Sequence, residues 1–441
     1  MMWCPRSIYS LRRLSIHQSK RARYSSSVKS TDDKVAPRVL ISGHSIAGLC
    51  AALALQRHHP GKVALQLVPS DVTPSVHEST ILYPNALGHL RDLGVLDAIL
   101  AKGCVLSSSS ICSGSKGRKI STLNYSGISK KYGDLPVVAI QVSALQKILE
   151  SELASTKLRL REKDGLTSFK NVGEKGKETV SCSLKKLTNL TYDALILTDQ
   201  SKLATKSFPP PKPDVSRMAK LETWHGIVPM SLMAQEGQQV RLKGNTVTLE
   251  WFPVGGNLQY FGAASFSRFS NFYGAAEKTG QEFIERFSKF LNGDEAELLK
   301  ETLSQHKKEK VATTNYLSEF VQHSWKEGRV VLMGGAAYCI LPALHQQVAM
   351  EVEDGVVMAT MLAQSSANDV EDSLERFAEQ RKKRVEEVAT IASGKCRADT
   401  ADYKFPGLRH LRNVLVSETS PVRSHTLKKI IKNTPPFKTN V

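Results

Sequence analysis

The chain of 441 residues lacks any run of about 18 apolar residues, so nothing in it reads as a membrane-spanning helix. It also lacks paired cysteines. Seven are present (Cys4, Cys50, Cys104, Cys112, Cys182, Cys339 and Cys396), scattered and with no Cys-x-x-Cys spacing. That pattern excludes a zinc ribbon, a thioredoxin-like site and a disulfide framework, and no metal site is expected. Reduced, mostly buried thiols follow. A third absence is local: no acid precedes Asp32. The same stretch carries Arg6, Arg12, Arg13, Lys20, Arg21, Arg23 and Lys29 and ends in Ser25-Ser26-Ser27. Arg-rich, Ser-rich and acid-poor is the composition of a mitochondrial transit peptide, here residues 1–24 with cleavage after Tyr24. The bland alternative is a disordered basic arm. A secretory signal is excluded because no continuous apolar core is present. The expected location is the mitochondrial matrix or the matrix face of the inner membrane.

Hydrophobic residues make up 41% of the chain and charged residues 23%, enough apolar material for a large core. The length suits two or three domains, or one large core with insertions. The formal charge is +18, but it sits at the ends. Residues 1–24 hold six of the positive charges, and the tail from Lys395 carries ten Lys/Arg against three acids. Only a small excess remains on the long middle. Nucleic-acid binding would call for clustered Lys/Arg with stacking aromatics or a known module, and neither is found.

Arg38-Val39-Leu40-Ile41-Ser42 reads as a strand, Gly43 to Gly48 as a tight turn, Leu49–Gln56 as a buried helix and Val63–Leu67 as a second strand. This is a βαβ unit. Pro84–Gly103 reads as helical, and Val137–Leu149 runs from strand into helix. Hairpins are expected between Leu158 and Thr198, ending in the strand Ala194–Leu197. The run Pro209–Pro213 is a stiff connector, a plausible crossing between domains. Glu222–Ser265 is β-rich and holds Trp224, Trp251, Phe252, Tyr260 and Phe261, for which core packing is favoured over a pocket lining. Helical pattern returns at Gln281–Phe290 and Glu295–Gln305. Val330–Met333 is a strand, followed by helices over Gln346–Gln364 and Val370–Ala392.

A strand, a glycine turn and a helix together hold a dinucleotide pyrophosphate: the glycines allow close backbone approach, and the helix N-terminus supplies N–H groups. Further landmarks follow in order: Pro84-Asn85-Ala86-Leu87, Leu93–Leu96, Ser143-Ala144-Leu145, Asp193–Asp199, Gly328–Ala337, Pro342, Glu353-Asp354 and Arg381–Val385. With these, the chain resembles the single-component FAD-dependent aromatic hydroxylases from about Arg38 to the tail. The resemblance implies an α/β fold in which a Rossmann-like FAD/NAD(P)-binding domain is interleaved with a β-sheet substrate domain and closed by C-terminal helices. It places the first domain at 36–205 and 325–400, the second at 206–324 and a basic tail at 401–441. It assigns FAD contacts to Gly43, Ser45, Gly48, Asp199, Gly334, Gly335, Pro342 and Gln346. No catalytic side chain is implied, because the flavin carries the chemistry.

The chain also departs from the family. Ser45 replaces the middle glycine, and Leu67 (or Gln66) stands where an acid should hold the ribose. Val142 replaces an arginine, Gln200 the glycine after Asp199, and Gly335 an aspartate. His345-Gln346-Gln347 replaces a Gly-x-Gly turn near the flavin ring. Two readings stay open. One is a monooxygenase that takes electrons from NAD(P)H or a ferredoxin and hydroxylates a small aromatic or prenylated ring. The other is a non-catalytic relative serving as a structural or assembly subunit of a mitochondrial complex, such as a ribonucleoprotein. The basic amphipathic stretch Pro421–Asn433 suits either a peripheral contact with an anionic inner membrane or a capping helix.

Overall fold

The computed structural model describes residues 35–72, 78–113, 119–156, 158, 164–173, 178–209, 211, 220–230, 237–244, 246–267, 276–291, 294–317, 319–400, 429–431 and 434. The transit-peptide reading of residues 1–24, and most of the Pro209–Pro213 connector, lie outside them.

Arg38–Ser42 is the strand around which the first sheet is laid. Parallel neighbours flank it, Ala64–Val68 on one side and Ala194–Leu197 on the other. Val330–Leu332 adds a further parallel strand, and Lys326–Glu327 closes that edge antiparallel. The central strands are nearly continuous apolar runs because helices cover both faces of the sheet. Helix Ile46–His58 is buried over its first ten residues. Helix Gln347–Ala363 packs on it so closely that a Cβ at Gly355 would lie 2.6 Å from the Ala47 carbonyl oxygen and 2.7 Å from Cys50 Cβ. Only glycine permits that approach.

A second, eight-stranded sheet runs in the order Ala276–Lys278, Ala312–Leu317, Lys220–Pro229, Leu258–Ser267, Val247–Gly255, Gln238–Lys243, Ser108–Ser113 and Lys119–Asn124. Its last two strands come from before residue 206, so the substrate-type sheet borrows chain from the first domain. The sheet is two-faced, as period-two alternation requires. Val240, Leu242, Leu249, Trp251, Phe261 and Ala263 join Phe283, Phe287, Leu299 and Leu303 in one apolar cluster under helices Gly280–Phe287 and Asp294–Gln305. Trp224 packs edge-on to Phe287 at 5.6 Å there, as expected, but it also borders the cavity described below, as does Tyr260, for which core packing alone was expected. A capping box between Thr279 and Glu282 starts the first of these helices. The opposite face carries Arg241, Lys243, Glu250 and Tyr260, and it looks inward.

Two local expectations change, and one left open gains an observation. Pro84–Gly103 is two helices, Pro84–Asp92 and Leu96–Lys102, because Gly94 turns the chain at a φ of +73°. Helix Val370–Thr400 runs eight residues further than its apolar pattern indicated. In the tail, Ile430 and Ile431 are buried in the main core. Arg384 donates to the Ile430 carbonyl at 2.8 Å, and Lys429 pairs with Glu387 at 3.0 Å. Of the Pro421–Asn433 segment only residues 429–431 are described, and their two isoleucines face the core, as a cap would place them.

Helices Gln347–Ala363 and Val370–Thr400 are locked together by a buried charge network. The fully buried Arg381 guanidinium meets Asp354 at 2.6 Å and Glu353 at 3.0 Å, while Arg384 takes the other side of Glu353 at 3.1 Å. Asp354 also accepts the Gly334 backbone N–H at 3.1 Å and the Tyr338 hydroxyl at 2.8 Å. This network aims the Gly334 turn at the first helix.

Candidate functional site: a glycine cradle and a charged cavity

The turn after the first strand has the geometry of a phosphate loop. Gly43 sits at a φ of +121°, and a Cβ on it would lie 2.2 Å from Thr198 Oγ1 and 2.3 Å from Asp199 Oδ2. Gly48 is as constrained, since its Cβ would lie 2.6 Å from the Gly43 carbonyl oxygen. Ser45 fills the middle position by capping the helix: its Oγ accepts the Gly48 N–H at 3.3 Å. Its hydroxyl also bonds Asp199, which receives the Ser70 hydroxyl at 2.6 Å as well. Burial pushes the Asp199 carboxyl up to about 6, helped by the nearby Asp71 and opposed by the two serine bonds. Gly43→Ala should therefore break the turn. The expected result is loss of dinucleotide binding by more than about tenfold, with a lowered melting temperature, read by ligand titration and thermal unfolding.

The second glycine turn faces the same helix. Gly334 has a φ of +59°, and its Cβ would come 2.9 Å from Ala47 Cβ and 3.4 Å from Glu351 Cγ. Gly335 is open: a Cβ there would meet only the Thr198 carbonyl oxygen, at 3.7 Å. Glu351 was not marked by any sequence motif. It is partly buried beside the Gly334 turn. Burial raises its carboxyl to about 8 against the hydrogen bond from Gln347, and the carboxyls of Asp199, Asp354 and Glu78 raise it further.

Other sequence candidates have structural work. Leu67 is fully buried and has no polar group, and the Gln66 amide oxygen is engaged by the Tyr192 hydroxyl at 2.7 Å. Gln346 is buried, held by Asn85 at 3.0 Å and by the Leu344 carbonyl at 3.2 Å. Gln347 accepts the Ile340 N–H at 2.9 Å and donates to Glu351 at 2.8 Å. Pro342 opens the short helical turn Pro342–Leu344, which ends at His345 with a left-handed φ of +52°. The His44 carbonyl accepts from Gln146 at 3.0 Å.

Beyond these turns lies a cavity of about 260 Å³. Val142, Ile340, Pro342, Gln347 and Val348 wall one end, and the inward face of the large sheet walls the other. There Arg241 and Glu250, direct cross-strand partners, pair at 3.1 Å, and His345 Nε2 reaches Glu250 at 3.1 Å. Against the effect of burial, the neighbouring His345 ring and the Arg241 guanidinium lower the Glu250 carboxyl to about 2. The Tyr260 ring stacks on Phe252 at 4.6 Å, and burial holds its hydroxyl well above the usual range. Lys243 pairs with Asp399 at 2.5 Å behind this wall. The alternation in Val240-Arg241-Leu242-Lys243 and Leu249-Glu250-Trp251 was the signal for these inward charges.

The architecture recurs in solved proteins. HpxO of Klebsiella pneumoniae, crystallised with FAD and uric acid, superposes with a TM-score of 0.73 at 17% identity, over 91% of this chain and 98% of that one. The fold is that of the FAD-dependent aromatic hydroxylases. A salicylate hydroxylase in complex with its substrate matches this hydroxylase fold with a TM-score of 0.66 at 17% identity, covering 91% and 99% of the two chains. Among curated proteins, the aurachin C monooxygenase/isomerase of Stigmatella aurantiaca is 24% identical over 327 residues, 74% of this chain and 80% of that protein. No family model matches.

The cradle of this hydroxylase-like fold fits a dinucleotide in shape. Gly43, Gly48 and Gly334 are forced to be glycine by their contacts, and Gly335 leaves room where a carboxylate would stand. In charge the fit depends on pH: with no cation at Val142, Glu351, raised to about 8, can stay a neutral acid able to donate a hydrogen bond to an anion, whereas Asp199, raised only to about 6, does so below that pH.

Proposed function

We propose that the chain is an FAD-dependent monooxygenase that hydroxylates a small aromatic or prenylated ring, and that it works in the mitochondrial matrix after loss of residues 1–24. The observation that carries this reading is the shared cavity. Residues next to the Pro342 turn and the inward face of the sheet line one partly open cavity, so a cofactor ring and a substrate ring would meet there. Gly43 and Gly48 admit the pyrophosphate to the helix N-terminus, Ser45 presents its hydroxyl beside it, and Gly334 with Gly335 leave room for the sugar chain. Bound FAD would supply the redox and oxygen chemistry, with electrons from NAD(P)H or a ferredoxin. Val142, Ile340 and Val348 make the ring end of the cavity apolar, which excludes water. Pro342 stiffens the turn that presents His345.

A second reading, a non-catalytic subunit of a mitochondrial assembly, draws on Leu67, Val142 and Gly335, each lacking a polar group toward the cofactor. Purified residues 25–441 decide between the two. The visible absorbance of the untreated protein is expected to show near-stoichiometric flavin, and added FAD is expected to raise the melting temperature. No flavin and no stabilisation would overturn the monooxygenase reading, and co-migration with a large complex would then support the second.

A further inference from the structure

Ile430 and Ile431 occupy neighbouring positions of one helical turn, yet they are only 1% and 5% exposed. Neighbouring side chains on a helix point about 100° apart, so burying both requires the turn to be inserted into the core rather than laid on it. Both isoleucines join the main apolar cluster of the first domain. Lys429, on the exposed side, pairs with Glu387 of the long helix at 3.0 Å. Arg384 of the same helix donates to the Ile430 carbonyl at 2.8 Å.

Arg384 connects this turn to the glycine cradle. The nitrogen that holds Ile430, Nη2, also reaches Glu353 Oε1 at 3.1 Å, and Nε reaches Glu353 Oε2 at 3.2 Å. Arg381 Nη1 shares that second oxygen at 3.0 Å, and its Nε holds Asp354 Oδ1 at 2.6 Å. Asp354 Oδ2 in turn accepts the Gly334 N–H at 3.1 Å. Every bond on this path is buried, so a bond that is lost is not replaced by one to water. Without the Ile430 carbonyl, a buried guanidinium donor is left unmet. Arg384 must then re-aim, and the Glu353 oxygens it shares with Arg381 move with it. The far end of the path is the cradle turn at a φ of +59°.

We propose that residues 429–431 are a strap whose docking positions the Gly334 turn through Arg384, so that strap docking and FAD binding strengthen each other. Arg384 is a positioning residue, acting through Glu353, Arg381 and Asp354. The proposal deepens the monooxygenase reading and rests on it for the identity of the ligand alone.

Amide hydrogen exchange on the full chain reads both ends of the path. Ile430→Asp, which drives the turn out of the core, is expected to speed exchange at the Gly334 N–H about tenfold without FAD, and to weaken FAD binding about tenfold. Ile430→Leu is expected to keep both at the original level. Lys429→Glu, on the exposed side, is expected to move both the same way by about threefold, and it decides the matter if Ile430→Asp fails to fold. Linkage demands the reverse effect in the unaltered chain: FAD slows exchange in the peptide holding Lys429–Ile431 by the factor by which the strap tightens FAD. Helix Asp294–Gln305, which packs in a separate core cluster, is expected to change by less than about twofold, which separates coupling from general stabilisation. Unchanged Gly334 exchange in the folded variants would overturn the proposal, as would FAD that binds but leaves residues 429–431 unprotected. Gly334 exchange that follows the strap in a chain that takes up no FAD refutes the cofactor reading alone.

Discussion

FAD affinity is expected to fall by about a hundredfold as the pH rises from about 6 to about 9, opposite to what a cationic phosphate site would show. Asp199 lies against Gly43 and Glu351 against Gly334, the two turns that form the cradle. Their carboxyls are shifted up to about 6 and about 8, chiefly by burial. An approaching pyrophosphate favours the protonated acid, so binding is strongest below both values. It weakens first as Asp199 ionises and again as Glu351 does. A carboxylate within about 4 Å of a phosphate charge costs roughly 1–4 kcal/mol at the effective dielectric of a protein surface. At about 1.4 kcal/mol per factor of ten, two such groups give roughly the hundredfold. Quenching of FAD fluorescence, titrated at stepped pH, measures it. Glu351→Gln should remove the upper limb of the profile, and Asp199→Asn the lower one. A flat profile, or affinity that rises with pH, would show that these carboxyls do not face the cofactor.

Arg381→Met is expected to destabilise the fold by about 3–5 kcal/mol, the largest effect of any single side chain outside the glycine turns. Arg381 is wholly buried between Asp354 and Glu353, and its removal leaves Asp354 without a cation in the interior. Arg384 can still serve Glu353, but Asp354 keeps only the Tyr338 hydroxyl and the Gly334 N–H. The Gly334 turn should then loosen with the helices. Loss of stability in urea unfolding and weaker FAD retention are expected together. Retained stability with lost FAD would mean that the network tunes the turn without holding the fold.

Much of the first sheet was legible because its signals are local. An apolar run, glycines at fixed spacing and an Ala/Leu-rich helix lie within about twenty residues of each other, and the backbone rules that link them need no distant partner. The eight-stranded sheet was legible only as β-rich sequence. Its last two strands, Ser108–Ser113 and Lys119–Asn124, lie far up the chain, and the register that joins the first of them to Gln238–Lys243 is set by which faces are buried. The long last helix outran its expected end at Ala392 because the residues beyond it gain burial, Cys396 among them, that no local pattern announces.

By itself the sequence determined the βαβ unit, the glycine turn, the order of landmarks and hence the fold, along with the basic, acid-free N-terminus. Only the tertiary structure decided what the altered residues do. It showed Ser45 as a helix cap bonded to Asp199, Gln346 tied to Asn85, and Ile430 and Ile431 turned into the core. It also placed Glu351 beside the Gly334 turn and set His345 on Glu250, 95 residues away in the chain. The reason is range. Turns and helices follow from neighbouring φ and ψ, whereas the proton carried by a carboxyl or an imidazole depends on burial and on charges that only folding brings within a few ångströms.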